Sequence, residues 1–225
     1  MFQLLPGRCL LCDALTNRQR DLCIPCEQDL PWLKSGCRLC AVPIHDHVSL
    51  CARCLRNPPP FVSSHAGFTY TWPIGQLIHN FKDHADLPAG RVISELLVQS
   101  LSTIKNHKPN MIVPVPLHSR KKRQRGFNQS LKVARGLAKL WRVPIDSKCI
   151  RSKSTSEQKL LPVSQRLLNV RDAFATSGSY HGKQLAIVDD VIATTATVHA
   201  LSSVLLNAGA KSVQIVCLAR TPAQH

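Results

Sequence analysis

Strand-like stretches rich in apolar residues recur through the last three quarters of the chain. They cover residues 61–71, 111–116, 185–188 and 213–218. The third of them, Leu185-Ala186-Ile187-Val188, is apolar at every position. A strand with that composition is expected to be buried on both faces, as strands of parallel sheets are.

Between these stretches, apolar residues recur three and four positions apart, which predicts helices. We expect them at 74–84 and 91–106, from 126–130 to about Trp141, and from about Val198 to Asn207. The last helix joins two predicted strands, and parallel strands require such a crossover. The pattern therefore predicts an α/β fold with a mostly parallel sheet flanked by helices.

Chemically distinctive residues follow the strand at 185–188. Asp189 and Asp190 come first, and the small and hydroxyl residues of 193–197 come next. Ligands of open α/β sheets bind beyond the carboxyl ends of the strands. A loop of small residues before a helix suits phosphate, and paired carboxylates suit ribose hydroxyls or Mg²⁺. The alternative is an ordinary strand end with two solvated acids.

This stretch resembles the phosphoribosyl-pyrophosphate (PRPP) loop of type I phosphoribosyltransferases. The matching positions are Val188, Asp189, Asp190, Val191, Thr194, Ala196 and Thr197. The resemblance implies that Asp189 and Asp190 bind the ribose and Mg²⁺, and that the 5′-phosphate lies against Ala193, Thr194, Thr195, Ala196 and Thr197. The chain departs from the pattern with Ala193 for a usual Thr and Thr195 for a usual Gly. Because Thr is β-branched and stiff, we expect weakened or lost phosphate binding.

Positive charge is concentrated in the middle of the chain. Residues 105–171 hold 17 of the 29 Lys and Arg residues but only two acids, Asp146 and Glu157. Such a block favours a polyanionic partner, namely nucleic acid or pyrophosphate, although a solvated surface is the alternative. The candidate nucleic-acid contacts are Lys121, Lys122, Arg123 and Arg125, followed by a helical stripe of Lys132, Arg135, Lys139 and Arg142.

The first 58 residues carry four Cys-x-x-Cys pairs whose first cysteines are 14 residues apart. Two such pairs complete a tetrahedral Cys₄ site, so eight thiols suit two structural zinc ions. The spacing leaves open whether consecutive or alternate pairs share a metal. We expect a Cys-rich module at 1–58, a proline-marked boundary, and an α/β domain at 59–225. The predicted ligands are Cys9, Cys12, Cys23, Cys26, Cys37, Cys40, Cys51 and Cys54.

A further motif runs from Val113-Pro114-Val115-Pro116 to Arg125-Gly126-Phe127-Asn128-Gln129. With the cysteine pairs and the loop above, it resembles the ComF family, also called GntX-type. The resemblance implies a double zinc-ribbon or zinc-finger module before a phosphoribosyltransferase-like domain. It assigns pyrophosphate to Leu117, His118, Ser119 and Arg120, and a mobile loop to Lys153, Thr155, Gln158 and Lys159.

Two functions follow as expectations. The first is a competence protein for DNA uptake that binds PRPP with Mg²⁺, or a nucleotide, and single-stranded DNA. Its implied partners are a DNA-uptake helicase or import machinery. The alternative is an active phosphoribosyltransferase that moves ribose 5-phosphate to a nitrogenous acceptor. No apolar run reaches the ~18 residues of a membrane span, and the N-terminus lacks a signal peptide, so we expect a cytoplasmic protein without membrane insertion.

Overall fold

The computed structural model describes residues 7–102, 108–152 and 173–223. Within these ranges the strands are β1 (Gly7–Arg8), β2 (Leu15–Thr16), β3 (Ser63–Thr69), β4 (Met111–Pro114), β5 (Cys149–Arg151), β6 (Phe174–Thr176), β7 (Gln184–Ile192) and β8 (Ser212–Arg220). The helices are α1 (Ile24–Gln28), α2 (Ala52–Arg56), α3 (Ile74–Asp83), α4 (Leu87–Ser102), α5 (Ser119–Arg125), α6 (Gln129–Trp141) and α7 (Ala196–Asn207).

The central sheet has four parallel strands in the order β3-β8-β7-β4. Its register aligns the strand ends, since Arg220 of β8 pairs with both Thr69 of β3 and Ile192 of β7. The carboxyl ends of the strands therefore share one edge. The β7-α7-β8 crossover confirms the predicted strand–helix–strand unit and the parallel α/β fold.

Apolar side chains cover both faces of the sheet. On one face, α3, α4 and α6 pack with Ala186, Val188 and Val216 in the first core cluster. On the other face, α7 packs with Ile187 and Ile215 in the second core cluster. Burial on both faces explains why the sequence of β7 is apolar before its two acids.

The Cys-rich segment is attached to this sheet along the edge strand β3. The amide of Leu33 donates to the Gly67 carbonyl at 3.0 Å, and the amide of Thr69 donates to the Pro31 carbonyl at 2.8 Å. The Trp32 ring lies 4.6 Å from the Phe68 ring, centroid to centroid. The segment also contributes buried residues to both core clusters, Leu22 and Leu30 to the first and Ala41 to the second.

Several element boundaries differ from the predicted ones, and two of these differences have a cause visible in the hydrogen bonds. Strand β7 does not end at Val188 but continues to Ile192, because Asp189, Val191 and Ile192 pair with residues of β8. Helix α4 begins at Leu87 rather than 91, where the side chain of Asp86 accepts the Ala89 amide at 3.0 Å. Neither strand pairing nor capping by Asp86 leaves a periodic pattern of apolar residues, so the sequence pattern could not predict these two boundaries. Across the described ranges, no helix has the length and apolarity needed to cross a membrane.

Candidate functional site

The two adjacent acids of β7 have different partners. Asp190 is buried, and one of its carboxylate oxygens lies 3.0 Å from the Lys82 ammonium at the end of α3. Asp189 is half-buried, and its Oδ1 accepts from the Ser130 hydroxyl at 3.0 Å and from the Asp190 amide at 2.9 Å. Asp190 is thus an ion-pair partner, whereas Asp189 is held by neutral donors.

The electrostatics follow from these partners. Burial raises the pKa of Asp189 to about 7, and the neighbouring Asp190 carboxylate acts in the same direction. Burial disfavours the charge on Lys82, but Asp190 outweighs it and raises the pKa of Lys82. The group of three side chains therefore keeps one firm ion pair and one carboxyl that titrates near neutrality.

The predicted phosphate loop is short. Strand β7 ends at Ile192 and α7 begins at Ala196, so Ala196 and Thr197 belong to the first turn of the helix. Thr195 precedes the helix with φ −78° and ψ 0°. That φ is ordinary for a β-branched residue, so the replacement of the usual glycine causes no backbone strain here. The structure thus removes backbone strain as a reason to expect weaker phosphate binding, while the closer phosphate approach that glycine allows is still lost.

The residues predicted to bind pyrophosphate follow the carboxyl end of β4, the strand next to β7. Pro114 of β4 pairs with Val188 of β7, and the Val115 amide donates to the Val188 carbonyl at 2.9 Å. The chain then reaches His118, whose Nδ1 accepts the Arg120 amide at 3.3 Å and caps α5. The segment 117–120 therefore begins at the same edge of the sheet as the acids, one strand away from them. It comprises Leu117, His118, Ser119 and Arg120.

A polar motif at the start of α6 braces this edge. The Asn128 side chain donates to the Val115 carbonyl at 3.0 Å and accepts the Leu131 amide at 3.3 Å. Gln129 donates to the Lys82 carbonyl at 3.3 Å, and Ser130 holds Asp189 as described above. Three consecutive side chains thus bind the segment after β4, the end of α3 and Asp189 of β7.

The four residues predicted to form a mobile loop, Lys153, Thr155, Gln158 and Lys159, lie outside the described residues. The strands on either side of them, β5 and β6, pair antiparallel. Next to this pair of strands, the Ser152 amide donates to the Ala173 carbonyl at 3.0 Å.

The eight predicted zinc ligands form two separate groups, each made by consecutive Cys-x-x-Cys pairs. Within a group all sulfur atoms lie within 4.8 Å of one another. The Sγ atoms of Cys12 and Cys23, and those of Cys40 and Cys51, are 3.7 Å apart. Tetrahedral zinc with Zn–S bonds of about 2.3 Å separates sulfurs by about 3.8 Å. The thiols fit zinc, which would hold each group together. The groups are Cys9, Cys12, Cys23 and Cys26, and Cys37, Cys40, Cys51 and Cys54.

Comparison with known families agrees with this two-part architecture. Residues 2–55 match the double zinc ribbon domain, and residues 85–225 match the phosphoribosyl transferase domain. The chain is 33% identical over 224 residues to the DNA utilization protein YhgH of Escherichia coli strain K12, which covers 96% of this chain and 98% of the relative. It is 28% identical over 222 residues to Competence protein F of Haemophilus influenzae, covering 95% of this chain and 96% of the relative.

The chain belongs to the ComF family. A more distant member, Competence protein ComFC of Bacillus subtilis, is 25% identical over 233 residues and matches 95% of each chain. The two zinc groups of this ComF protein, the first from Cys9 to Cys26 and the second from Cys37 to Cys54, lie within the segment that matches the double zinc ribbon domain.

The basic face of this ComF protein is mostly available to solvent. Lys132, Arg135 and Lys139 are exposed on α6, and Arg142 is exposed just beyond the helix end. A groove of about 650 Å³ between α4 and α6 is lined partly by Lys132 and Lys139. Arg125 differs, since its guanidinium lies 3.2 Å from the Asp83 carboxylate.

The two aromatic residues of the basic segment are fully or partly buried. Trp141 is buried, and the Phe127 ring lies 5.3 Å from the Phe81 ring. Trp72, outside this segment, is 81% exposed and follows the carboxyl end of β3. The sequence pattern did not single it out, since an isolated Trp carries no periodicity.

Three neighbours of the candidate site were not predicted from the sequence of this ComF protein. Lys82 and Ser130 contact the acid pair, and Arg220 contacts the predicted phosphate loop. Ser130 ends the Gly126-to-Ser130 stretch that enters α6, which could have drawn attention to it. Lys82 and Arg220 lie in ordinary helix and strand patterns, so only the fold brings them to the site.

Proposed function

We propose that this ComF protein binds PRPP together with Mg²⁺, or a nucleotide with the same phosphoribosyl group, at the carboxyl edge of its sheet. The main support is the adjacency of β7 and β4, which brings the acid pair and the segment 117–120 to one edge. The acid pair, the loop at 193–197 and the segment 117–120 would then contact successive parts of one ligand.

The chemistry of each part suits one moiety of PRPP. Asp189 and Asp190 would accept from the ribose hydroxyls, and the first turn of α7 would hold the 5′-phosphate. Arg120 and the amides before α5 would hold pyrophosphate. Mg²⁺, when bound, would screen the charge of the pyrophosphate. Since Lys82 already neutralises Asp190, the acid pair offers that cation little more than one carboxylate.

The names of the relatives supply the biological setting of the proposal. YhgH is named a DNA utilization protein, and two other relatives are named competence proteins. We infer that this protein also serves the uptake or use of external DNA, in partnership with a helicase or import machinery. PRPP or nucleotide binding would then act as a metabolic input to that process.

The test is calorimetric titration of Mg²⁺ and PRPP into the zinc-loaded protein. Saturable binding is expected, and a variant with Asp189→Asn and Asp190→Asn should lose about 100-fold or more in affinity. The matched control is Asp29→Asn, which removes an acid from an exposed position of the zinc module. Equal affinity in the double variant and the control would contradict the site.

Turnover is a separate question at the same site. A phosphoribosyltransferase would let an acceptor nitrogen form a bond to the anomeric carbon while the bond to pyrophosphate breaks and pyrophosphate leaves with the electron pair. Pyrophosphate release that requires both PRPP and a nitrogenous base would establish the enzyme. Binding of PRPP without release, across a panel of bases, would favour a ligand-sensing role.

The exposed positions of Lys132, Arg135, Lys139 and Arg142 favour a second function, the binding of single-stranded DNA. Basic grooves that track a backbone are typical of such proteins, and they usually add stacking aromatics. Because Trp141 is buried and Phe127 is partly buried, the contribution from phosphates would dominate. Binding should then depend strongly on salt and weakly on sequence.

A further inference from the structure

Arg220 is a buried arginine at the end of β8, only 6% exposed. Its Nε donates to the Cys40 carbonyl at 2.9 Å. Its Nη1 donates to the carbonyls of Ile192 at 2.8 Å, Ala193 at 3.0 Å and Thr221 at 2.9 Å. A buried charge is costly unless it is hydrogen-bonded, so these carbonyls are what the guanidinium requires.

One of these carbonyls belongs to Ala193 of the predicted phosphate loop, and another belongs to Ile192, the residue just before it. The direction of these two carbonyls fixes the direction of the amides that follow them. In a trans peptide the C=O and the following N–H point in opposite directions. With the Ile192 and Ala193 carbonyls turned toward Arg220, the amides of Ala193 and Thr194 point away from it. Consecutive amides on one side of a loop form a concave site for anions.

The remaining contact reaches the second zinc group. Cys40 is a ligand in that group, and the adjacent Ala41 is buried in the second core cluster. One planar side chain therefore touches both a zinc ligand's carbonyl and the loop after β7. A guanidinium suits this role because its donors lie in a fixed fork.

We propose that Arg220 is the positioning residue of the phosphate loop. It holds the Ile192 and Ala193 carbonyls so that the amides of Ala193 and Thr194 face the 5′-phosphate, and it anchors this arrangement to the second zinc group through Cys40. The inference rests on the proposed function, since it requires a 5′-phosphate at the loop.

The test compares two fragments of the ligand in the zinc-loaded protein. Arg220→Met should weaken ribose 5-phosphate by about tenfold or more, because amide hydrogen bonds to a charged phosphate are stronger than neutral ones. Inorganic pyrophosphate with Mg²⁺ should keep its affinity within about twofold, since it is assigned to the segment 117–120. The control is Arg56→Met, an exposed arginine on α2. Zinc content and far-UV circular dichroism check that each variant is folded.

The wild-type protein provides a second measurement that needs no variant. With ¹⁵N-labelled alanine and threonine, the amide signals of Ala193 and Thr194 should shift on addition of ribose 5-phosphate. The inference about Arg220 would be overturned if these signals did not move under saturating ribose 5-phosphate. It would also be overturned if Arg220→Met lowered the affinities for ribose 5-phosphate and pyrophosphate equally. Neither result would overturn the proposed function. No ribose 5-phosphate binding by the wild type would overturn the inference together with the proposed function.

Discussion

Asp189 and Asp190 are neighbours in sequence but differ in their chemistry. Asp190 is compensated by the Lys82 ammonium at 3.0 Å, whereas Asp189 is held by a hydroxyl and an amide. Burial raises the pKa of Asp189 to about 7, and the neighbouring Asp190 carboxylate acts in the same direction. A pair that looks symmetric in the sequence therefore contains one carboxylate that is ion-paired with a lysine and one whose charge responds to pH.

This difference predicts a pH dependence of stability. The pKa of Asp189 is about 3.9 in the unfolded chain and about 7 in the folded protein. Between these values the folded chain holds more protons, so the stability contributed by this group falls as pH rises and levels off above the folded pKa. In Mg²⁺-free buffer, the free energy of unfolding of wild type minus that of Asp189→Asn should decrease from about pH 6 to about pH 8.

Urea unfolding at several pH values in zinc-containing buffer measures this difference. Thiol protonation changes the stability of both proteins alike, so the subtraction removes the contribution of the zinc groups. Parallel pH profiles for wild type and Asp189→Asn would show that Asp189 is already ionised throughout the range.

Part of the candidate site can be read from the sequence, and the reason for the rest is topological. The acid pair and the loop after it are contiguous, so their chemistry can be read along one stretch. Lys82 lies over 100 positions before Asp190, and Arg220 comes from the next strand. Nothing local marks them. The ordinary φ of Thr195 was also unpredictable, because it depends on how α7 docks on the sheet.

At the level of elements, periodicity predicted which segments are strands and helices, and tertiary pairing set where they end. Strand β7 extends past its apolar run because β8 pairs with it as far as Arg220. The pairing of the zinc ligands could not be predicted either, since spacing of 14 residues fits both arrangements. The fold selects consecutive pairs.

Helix α6 carries the prediction that belongs to this level. Neutralising its exposed stripe with Lys132→Gln, Arg135→Gln, Lys139→Gln and Arg142→Gln should weaken single-stranded DNA binding. If all four contact phosphates, the slope of log affinity against log salt should become shallower by about 3. Fluorescence anisotropy with a labelled oligonucleotide at several salt concentrations measures both quantities.

The control for α6 removes the same number of charges elsewhere. Lys34, Arg53, Arg56 and Lys211 are also exposed, and their replacement by Gln leaves α6 unchanged. A slope that changes equally in both variants would mean that DNA binding depends on net charge rather than on this helix.

At the scale of the whole molecule, the Cys-rich segment is part of the core rather than an appendage. Leu22 is fully buried, and it belongs to the first core cluster together with residues of α3, α4, α6 and the sheet. The second zinc group is joined to the sheet through Ala41 and through the Arg220 contact with Cys40. Zinc release and unfolding of the α/β domain should therefore be coupled.

Leu22→Ala tests this coupling. Removing a fully buried leucine should cost about 2–5 kcal/mol of stability, whereas Leu55→Ala, at a position 63% exposed on α2, should cost little. We expect zinc release, followed with a chromophoric chelator, and loss of helical circular dichroism to occur at the same urea concentration, and Leu22→Ala to lower both midpoints together. If only zinc release moved, the module would unfold by itself. The contacts along β3 would then be too weak to transmit the state of the zinc groups to the phosphate loop.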